Sequence, residues 1–328
     1  MKFLISLLRL LPPELAHLLA LNALHFLYVM GLSKFIFPSP VTGDSFIYRN
    51  LNFKNRLGIA AGLDKNGDYI DSLGSLGFGF IEIGTVTPLA QAGNPKPRIF
   101  RLFNQHAIIN RLGFNNKGLD YLVSKVKSRK YSGILGINIG ANKDSEGQKR
   151  IDDYIECFYK VSPYADYIAV NISSPNTPNL RALHARENFI PLFSALNIAR
   201  SEQDFANPVF IKLSPDESKE TISDIIKAIR EYGFDGIIAS NTTVDHSELP
   251  DEASHKRVGG LSGKPLFQKS NELLASIHED DHDLFKIGVG GVFSAQDFNK
   301  KLESGASLVQ IYTSFIYEGP GVVSKLLN

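Results

Sequence analysis

Hydroxyl and amide side chains are concentrated in one short segment, Asn171–Pro178, directly after the apolar run Tyr167–Val170. A buried strand with polar residues at its carboxyl end is typical of the sites of parallel α/β folds. The segment contains no His, Cys or carboxylate. Proton transfer there would fall to Ser174, a hydroxyl whose pKa lies far above neutral pH, so few reactions are open to it. The alternative interpretation is that Ser174 only caps the turn before Pro175.

The other predicted strands also end in small, hydroxyl, amide or lysine residues. In chain order these ends are Ala61–Lys65, Gly84-Thr85, Asn138, Asn171, Lys212, Ser240–Thr243, Gly290-Gly291 and Tyr312-Thr313. They provide no set of metal ligands, and their amides and two lysines suit a planar, partly anionic ligand. The glycines near the last two strands would let backbone amides approach a phosphate. Together these features suggest flavin mononucleotide (FMN), with its phosphate at strands 7 and 8.

The strand ends belong to a repeating pattern, in which a short apolar strand is followed by a helix-like segment. The strands are predicted at Leu57–Ala61, Gly79–Gly84, Ile134–Ile139, Tyr167–Ile172, Pro208–Leu213, Gly236–Ala239, Phe285–Val289 and Ser307–Ile311. Asp216 and Ser218 can cap a helix around Thr221–Glu231. Ser294 can cap one around Ala295–Glu303. Eight such units predict a closed (β/α)8 TIM barrel; an open doubly wound sheet, which rarely needs eight regular units, is the alternative.

The composition of the chain excludes several classes of function. The 328 residues are 43% hydrophobic and 21% charged, with a formal net charge of +1. A nucleic-acid-binding protein would normally carry a basic excess, so we expect no nucleic-acid partner. The single cysteine, Cys157, excludes an internal disulfide, a CxxC metal site and a thiol redox pair.

The first thirty residues are strongly apolar but interrupted. Arg9 and Pro12-Pro13 interrupt the continuous apolar run that a signal peptide requires. In the run Leu15–Met30, the polar residues fall with Glu14 on one side of a helix and leave a broad apolar face. The run is shorter than the ~20 apolar residues of a membrane span. We therefore predict a pair of helices lying on a membrane surface, broken at the prolines; a soluble helical cap on the main domain and a true span are the alternatives.

Seven segments of the chain resemble the dihydroorotate dehydrogenase family. They occur in order over nearly the whole chain: Ala60–Lys65, Ile83–Pro88, Asn110–Asn115, Asn171–Pro178, Ser240–Thr243, Gly260–Gly263 and Gly305–Tyr312. The serine in the cluster and the amphipathic extension resemble the membrane-associated, quinone-dependent class. The soluble classes use a cysteine base, and Cys157 lies away from the matching position. Ser240 stands where the family usually has Thr and Thr313 where it often has Ser, and both keep the hydroxyl.

The resemblance implies a reaction and a substrate site. Dihydroorotate would be oxidised to orotate, with a proton passing to Ser174 as the catalytic base and a hydride to the flavin. Thr177 and Phe114 match positions proposed to gate a proton relay to solvent. Asparagine amides can both donate to the imide-like edges of this planar anion and accept from them. The implied substrate-binding residues are Lys65, Asn110, Arg111, Leu112, Gly113, Phe114, Asn171, Asn176, Asn241 and Thr242.

The resemblance also implies where FMN and the quinone bind. Lys212 matches a lysine whose charge would stabilise the reduced flavin. The implied FMN-binding residues are Ala61, Gly62, Leu63, Asp64, Lys65, Thr85, Asn138, Asn171, Lys212, Ser240, Gly263, Gly291, Tyr312 and Thr313. For the second half-reaction, His17, Arg101 and Tyr312 match positions lining a channel for ubiquinone or menaquinone.

These interpretations divide the chain into a membrane-associating extension and linker, residues 1–40, and an FMN-binding barrel, residues 41–328. Since no Arg- and Ser-rich transit segment precedes the helices, we expect a monomeric peripheral protein on the cytoplasmic face of a bacterial inner membrane. The expected pathway is de novo pyrimidine (UMP) biosynthesis. One alternative is a flavin barrel that acts on a related pyrimidine with a soluble electron acceptor. The other is a membrane-attached flavin-binding module without turnover.

Overall fold

A closed barrel of eight parallel strands forms the body of the molecule, which confirms the predicted (β/α)8 fold. The computed structural model describes residues 8–37, 43–177, 180–250 and 257–328. Each barrel strand is hydrogen-bonded to the one that follows it along the chain in the barrel, and the last closes on the first. Consecutive barrel strands are therefore neighbours throughout, as the βαβ repeat requires.

All eight predicted barrel strands are present within one or two residues of their predicted bounds. The strands of the structure are β1 Phe46–Tyr48, β2 Leu51–Phe53, β3 Leu57–Ile59, β4 Phe80–Val86, β5 Ile99–Leu102, β6 Ala107–Asn110, β7 Ile134–Ile139, β8 Tyr167–Asn171, β9 Val209–Leu213, β10 Gly236–Ala239, β11 Gly260–Gly263, β12 Phe285–Val289 and β13 Leu308–Ile311. Every residue of the barrel strands is buried. Burial on both faces explains their nearly continuous apolar character.

Helices precede the barrel, occupy the connections between its strands and follow its last strand. They are α1 Pro13–Val29, α2 Ser33–Ile36, α3 Ile70–Gly74, α4 Leu119–Lys127, α5 Gly147–Val161, α6 Arg186–Glu202, α7 Lys219–Glu231, α8 Phe267–Asp280, α9 Ala295–Glu303, α10 Thr313–Glu318 and α11 Val322–Leu327. Ser294 caps α9 through a capping box with Asp297. Ser218 caps α7 by accepting the Thr221 amide. The predicted cap at Asp216 is wrong, because its carboxylate binds Arg181 and Lys269 instead.

Aromatic rings fill the barrel at the amino ends of its strands. Phe80, Tyr167, Phe210 and Phe285 are buried and pack in sequence, with centroid separations of 6.3, 5.4 and 5.3 Å. The antiparallel hairpin β1–β2 packs against this cluster through Phe53. With this end plugged, the interior is open to a ligand only at the carboxyl ends of the strands.

A second small sheet borders the carboxyl end of the barrel. Strands β5, β6 and β11 form an antiparallel sheet in the order β11-β6-β5. Its members come from segments far apart in the chain, since Asn110 of β6 pairs with Gly260 of β11. The sequence pattern did not predict this sheet. It brings Asn110 and Gly263 to the wall of the central cavity.

Helix α1 packs on the barrel through the buried apolar residues Ala16, Leu21 and Leu24 and through polar contacts beside them. Glu14 binds Arg98 at 2.5 Å and Lys96 at 2.8 Å, and Asn22 accepts a hydrogen bond of 2.8 Å from the Tyr69 hydroxyl. Of the sixteen exposed large hydrophobic residues that the structure describes, ten lie between residues 10 and 36. A large part of the apolar surface of this segment thus remains exposed. The first predicted N-terminal helix lies largely in residues 1–7, outside the described residues, and no helix within them is long and apolar enough to cross a membrane.

Candidate active site

The carboxyl ends of the barrel strands surround one central cavity with about 980 Å³ of empty space. Most of the residues predicted from the strand ends line it, as expected for a barrel of this type. The predicted residues on its wall are Ala61, Gly62, Lys65, Thr85, Asn110, Leu112, Gly113, Phe114, Asn171, Ser174, Asn176, Lys212, Ser240, Asn241, Thr242, Gly263, Gly291, Tyr312 and Thr313.

Four predicted site residues lie elsewhere. Leu63 is buried and lines a separate apolar cavity beneath α1. The Asp64 carboxylate accepts backbone hydrogen bonds from Asp68 and Tyr69, so it shapes its own turn, and burial raises its pKa to about 6. Asn138 is fully buried below the wall, where it accepts a hydrogen bond from Thr85. The Arg111 guanidinium donates to the Pro97 carbonyl. It borders a second cavity, the outer cavity, whose wall includes Ser174 and Thr177.

A connected chain of amides and hydroxyls forms one side of the central cavity. Asn171 donates 2.9 Å to the Thr85 hydroxyl, which in turn donates 2.6 Å to Asn138. Asn241 donates 3.0 Å to the Ser173 hydroxyl, which donates to Asn171. Such mutual bonds fix which way each amide points. They leave a preorganised set of donors and acceptors for a planar ligand.

Asn110 and Asn176 form a second amide pair on the wall of the cavity. The side chain of Asn176 donates 3.2 Å to Asn110, whose own amide donates to the Gly260 carbonyl at 3.4 Å. The partners come from β6, β11 and the loop after β8. The small antiparallel sheet is therefore what joins this pair to the barrel.

Ser174 is buried at the boundary between the central cavity and the outer one. Its hydroxyl oxygen accepts the backbone N–H of Asn176 at 3.3 Å, a local turn bond. Among the described residues no side chain that could act as a base is bonded to it. Thr177 lines the same outer cavity, and its buried hydroxyl has no partner. Ser174 thus makes the turn contact and also lines the cavity, and its role as a base stays a prediction.

Lys65 supplies a cation to the wall of the central cavity. Its ammonium group donates 2.8 Å to the side-chain carbonyl of Asn115 and has no carboxylate partner in the described part of the chain. Burial, and then the nearby Arg98, lower its pKa to about 7. An anion bound beside Lys65 would stabilise its charged form.

Lys212 lies deeper in the barrel, above a buried carboxylate. Its ammonium group is 3.9 Å from Glu82, which is fully buried. Burial lowers the pKa of Lys212 and the charge of Glu82 raises it again. Glu82 also accepts hydrogen bonds from Asn138, Tyr167 and Gln310. The cation at the cavity floor therefore lies above a carboxylate that a buried hydrogen-bonded network fixes in place.

Glu82 and Gln310 were not predicted as functional residues. Both occupy barrel strands, β4 and β13, and both are completely buried. The sequence does contain an indication of a role for Glu82, because it is the only charged residue in the apolar run Phe80–Val86. Carboxylates are almost never fully buried without a partner, so its position already required one.

The three residues predicted for a quinone channel meet in the apolar cavity beneath α1. His17, Arg101 and Tyr312 line it together with many apolar side chains. Burial, and then Lys65, lower the pKa of His17 to about 4, so its imidazole is neutral at pH 7. Arg101 donates to backbone carbonyls of residues 8–11. Tyr312 and Asn110 line both the apolar and the central cavity, and so lie where the two adjoin.

Neither a cluster of metal ligands nor a cysteine base lies at the site in the described residues. The described residues contain no group of three or more His, Cys, Asp or Glu side chains that could hold a metal. Cys157 is buried on α5, where its thiol contacts the carbonyls of Val86 and Gly140. Burial raises its pKa well above the ordinary value. Cys157 is therefore remote from the cavity wall and unsuited to act as a base.

Comparison with known proteins identifies relatives over almost the whole chain. A family model described as "Dihydroorotate dehydrogenase" matches residues 47–328. A protein of Buchnera aphidicola subsp. Schizaphis graminum, "Dihydroorotate dehydrogenase (quinone)", is 47% identical over 98% of this chain and 97% of its own length. A protein of the same name from Saccharophagus degradans is 45% identical over 96% of this chain and 94% of its own.

A solved structure gives the same result at the level of the fold. The crystal structure of DHODH from Eimeria tenella in complex with ferulenol is similar with a TM-score of 0.85 and 34% sequence identity. The match covers 95% of this chain and 89% of that one. It therefore includes most of the N-terminal extension as well as the barrel.

Proposed function

The chain belongs to the dihydroorotate dehydrogenase family, in its quinone-dependent class, and we propose that it oxidises dihydroorotate to orotate through FMN and passes the electrons to a membrane quinone. The observation that carries this proposal is the junction of two unlike cavities. The polar cavity holds Ser174, Lys65 and the asparagines, and the apolar cavity lies beneath the exposed apolar face of α1. Tyr312 lines both. The reaction would serve de novo pyrimidine (UMP) biosynthesis.

The residues of the central cavity fit FMN. The backbone amides of Gly291 and Val292 face no acceptor among the described residues, and they line the cavity near β12, where phosphate binds in many barrels. Lys212 presents a buried cation to the floor, while Thr85, Asn171 and Ser240 provide polar groups along the wall. When bound, FMN supplies the two-electron acceptor that none of the side chains can supply.

The substrate would bind between Lys65 and the asparagines. The ammonium group of Lys65 pairs with the carboxylate of dihydroorotate, while Asn110, Asn176 and Asn241 read its carbonyl and N–H groups. Asn171 and Thr242 complete the set. In this arrangement the Ser174 hydroxyl oxygen would accept the proton that leaves C5. Thr177 and Phe114 border the route by which that proton would pass on to solvent.

The apolar cavity would admit a ubiquinone or menaquinone from the membrane. We propose that residues 1–40 form the membrane-associating extension, in which one face of α1 binds the barrel and its exposed apolar residues contact lipid. Residues 41–328 form the catalytic barrel. In this arrangement His17, Arg101 and Tyr312 surround the quinone head group, and the neutral imidazole of His17 can donate a hydrogen bond. The protein would act as a monomer on the cytoplasmic face of a bacterial inner membrane.

Substitution of Ser174 tests the proposed reaction. Anaerobic stopped-flow measurements follow the loss of flavin absorbance after dihydroorotate is added. Ser174→Ala is expected to bind orotate normally but to reduce the flavin at least ~10²-fold more slowly, the usual cost of a lost general base. Cys157→Ala, which removes the only cysteine, should reduce it at the rate of the unmodified protein. Near-normal reduction in Ser174→Ala would show that another group is the base.

A further inference from the structure

A buried lysine without a carboxylate partner lies behind the wall of the central cavity. Lys301, on α9, has no exposed surface, and its ammonium group lies 5.3 Å from the ring centre of Phe267. Within the described residues it forms no ion pair. Burial lowers its pKa to about 7, and the more distant Asp297 raises it. A cation kept in this position without a direct counter-ion is costly, so a function for its charge has to be considered.

The ammonium group of Lys301 orients the hydroxyl of Ser270. Lys301 donates to Ser270 Oγ, which must accept because an ammonium group has no acceptor. The Ser270 proton is then directed to the two carbonyls within reach, those of Phe267 at 3.0 Å and Gly290 at 3.3 Å. This hydrogen bond holds the Gly290 carbonyl pointing towards Ser270.

The orientation of the Gly290 carbonyl determines where the next amide points. The Gly290–Gly291 peptide bond is trans, so its carbonyl and its N–H point in opposite directions. With the carbonyl turned towards Ser270, the Gly291 N–H is turned away from it, and both glycines line the central cavity. A side chain at Gly291 is excluded, because a Cβ there would lie 2.4 Å from the Cβ of Phe267.

We propose that Lys301, acting through Ser270, is a positioning residue for phosphate: it holds the Gly290–Gly291 peptide with its N–H towards the phosphate of FMN. The inference rests on the proposed function, and it names residues that would strengthen binding of the FMN phosphate. The hydrogen bond also polarises the peptide, so the charge of Lys301 reinforces the positive end of the amide that meets the anion. The contribution is specific to the phosphate, since the riboflavin portion has no charge to respond to it.

The experiment compares FMN with riboflavin, which lacks the phosphate. Dissociation constants of both flavins are measured by fluorescence titration of the flavin-depleted full-length protein, with folding checked by circular dichroism. Lys301→Met removes the charge at similar volume, and Ser270→Ala removes the relay while keeping Lys301. Lys286→Met is the matched control, because Lys286 is also buried but donates to backbone carbonyls near the amino end of β12.

The expected result is a loss that depends on the phosphate. The dissociation constant for FMN should rise about tenfold or more in Lys301→Met and Ser270→Ala, the effect of one hydrogen bond to a charged group. The value for riboflavin should stay within about twofold, and Lys286→Met should change neither. Equal losses for both flavins, or no loss for FMN, would overturn the inference. If the unsubstituted protein binds neither flavin, the proposed function itself fails.

Discussion

Replacing Glu82 by Gln tests whether the buried network below the cavity stabilises the fold and sets the charge of Lys212. The substitution keeps the shape of the side chain but removes its charge. It also replaces one carboxylate oxygen, an acceptor, by an NH2 group, a donor. Three donors, from Asn138, Tyr167 and Gln310, converge on the carboxylate at 2.7–2.9 Å. At least one of these groups then loses its partner in a fully buried position.

The size of the effect follows from the position of Lys212. Its ammonium group is 3.9 Å from Glu82, so at an effective dielectric constant near 20 the lost attraction is about 4 kcal/mol. Breaking a buried pair by removing one partner costs about 3–5 kcal/mol, which agrees. The pKa of Lys212 also falls further, because Glu82 is the group that raises it. A neutral Lys212 would stabilise reduced flavin less, so the midpoint potential should become more negative.

Denaturant unfolding with bound flavin measures the first effect, and a spectroscopic redox titration measures the second. Asp120→Asn is the control, because Asp120 pairs with Lys160 at 2.7 Å on the surface and its loss should leave the free energy of unfolding almost unchanged. If Glu82→Gln destabilises the protein no more than Asp120→Asn does, the reasoning about the buried network is wrong. An unchanged midpoint potential would separately refute the link from Glu82 through Lys212 to the flavin.

Three further predictions concern the substrate cation, the membrane face and the cysteine. Because the pKa of Lys65 is about 7 and only its charged form attracts an anion, affinity for orotate should fall about tenfold per pH unit above that value. Calorimetry at several pH values measures this, and a slope that persists in Lys65→Met would contradict it. Phe26 and Val29, 61% and 66% exposed on α1, should each weaken vesicle binding by about tenfold when changed to Ser. Ile198→Ser, equally exposed on the barrel, should have no effect in the same co-sedimentation assay, and equal losses at all three positions would argue against a specific membrane face. Iodoacetamide should not label Cys157 in the native protein, since its thiol is buried with a raised pKa; rapid labelling with loss of flavin reduction would place the cysteine in the site.

The barrel could be predicted from the sequence because its strands are short, apolar and separated by helices with recognisable caps. Ser218 and Ser294 cap helices as expected, since a cap depends on residues within one turn. Asp216 failed as a cap because Arg181 and Lys269, brought close only by the fold, compete for its carboxylate. Local rules contain no information about such distant partners.

The candidate site was predictable where its residues follow strands, and less so where they depend on long-range packing. The residues at the strand ends line the cavity, whereas Asn138 lies beneath it and Arg111 points outside. The small sheet that positions Asn110 joins segments about 150 residues apart, as the Asn110–Gly260 bond shows. For α1, the sequence distinguishes a polar from an apolar face. Only the structure shows that the helix meets the barrel with a mixed face, through buried Leu21 and Leu24 as well as through Glu14.

Electrons are proposed to pass from dihydroorotate through a bound flavin to a quinone, and one anaerobic titration measures both transfers. Dihydroorotate is added to the oxidised protein, and the reduced protein is then offered a ubiquinone analogue, fumarate or NAD in separate cuvettes. We predict that dihydroorotate bleaches the flavin absorbance and that, of the three acceptors, only the quinone restores it rapidly. A flavin that is not bleached, or one that fumarate or NAD reoxidises while the quinone does not, would contradict it.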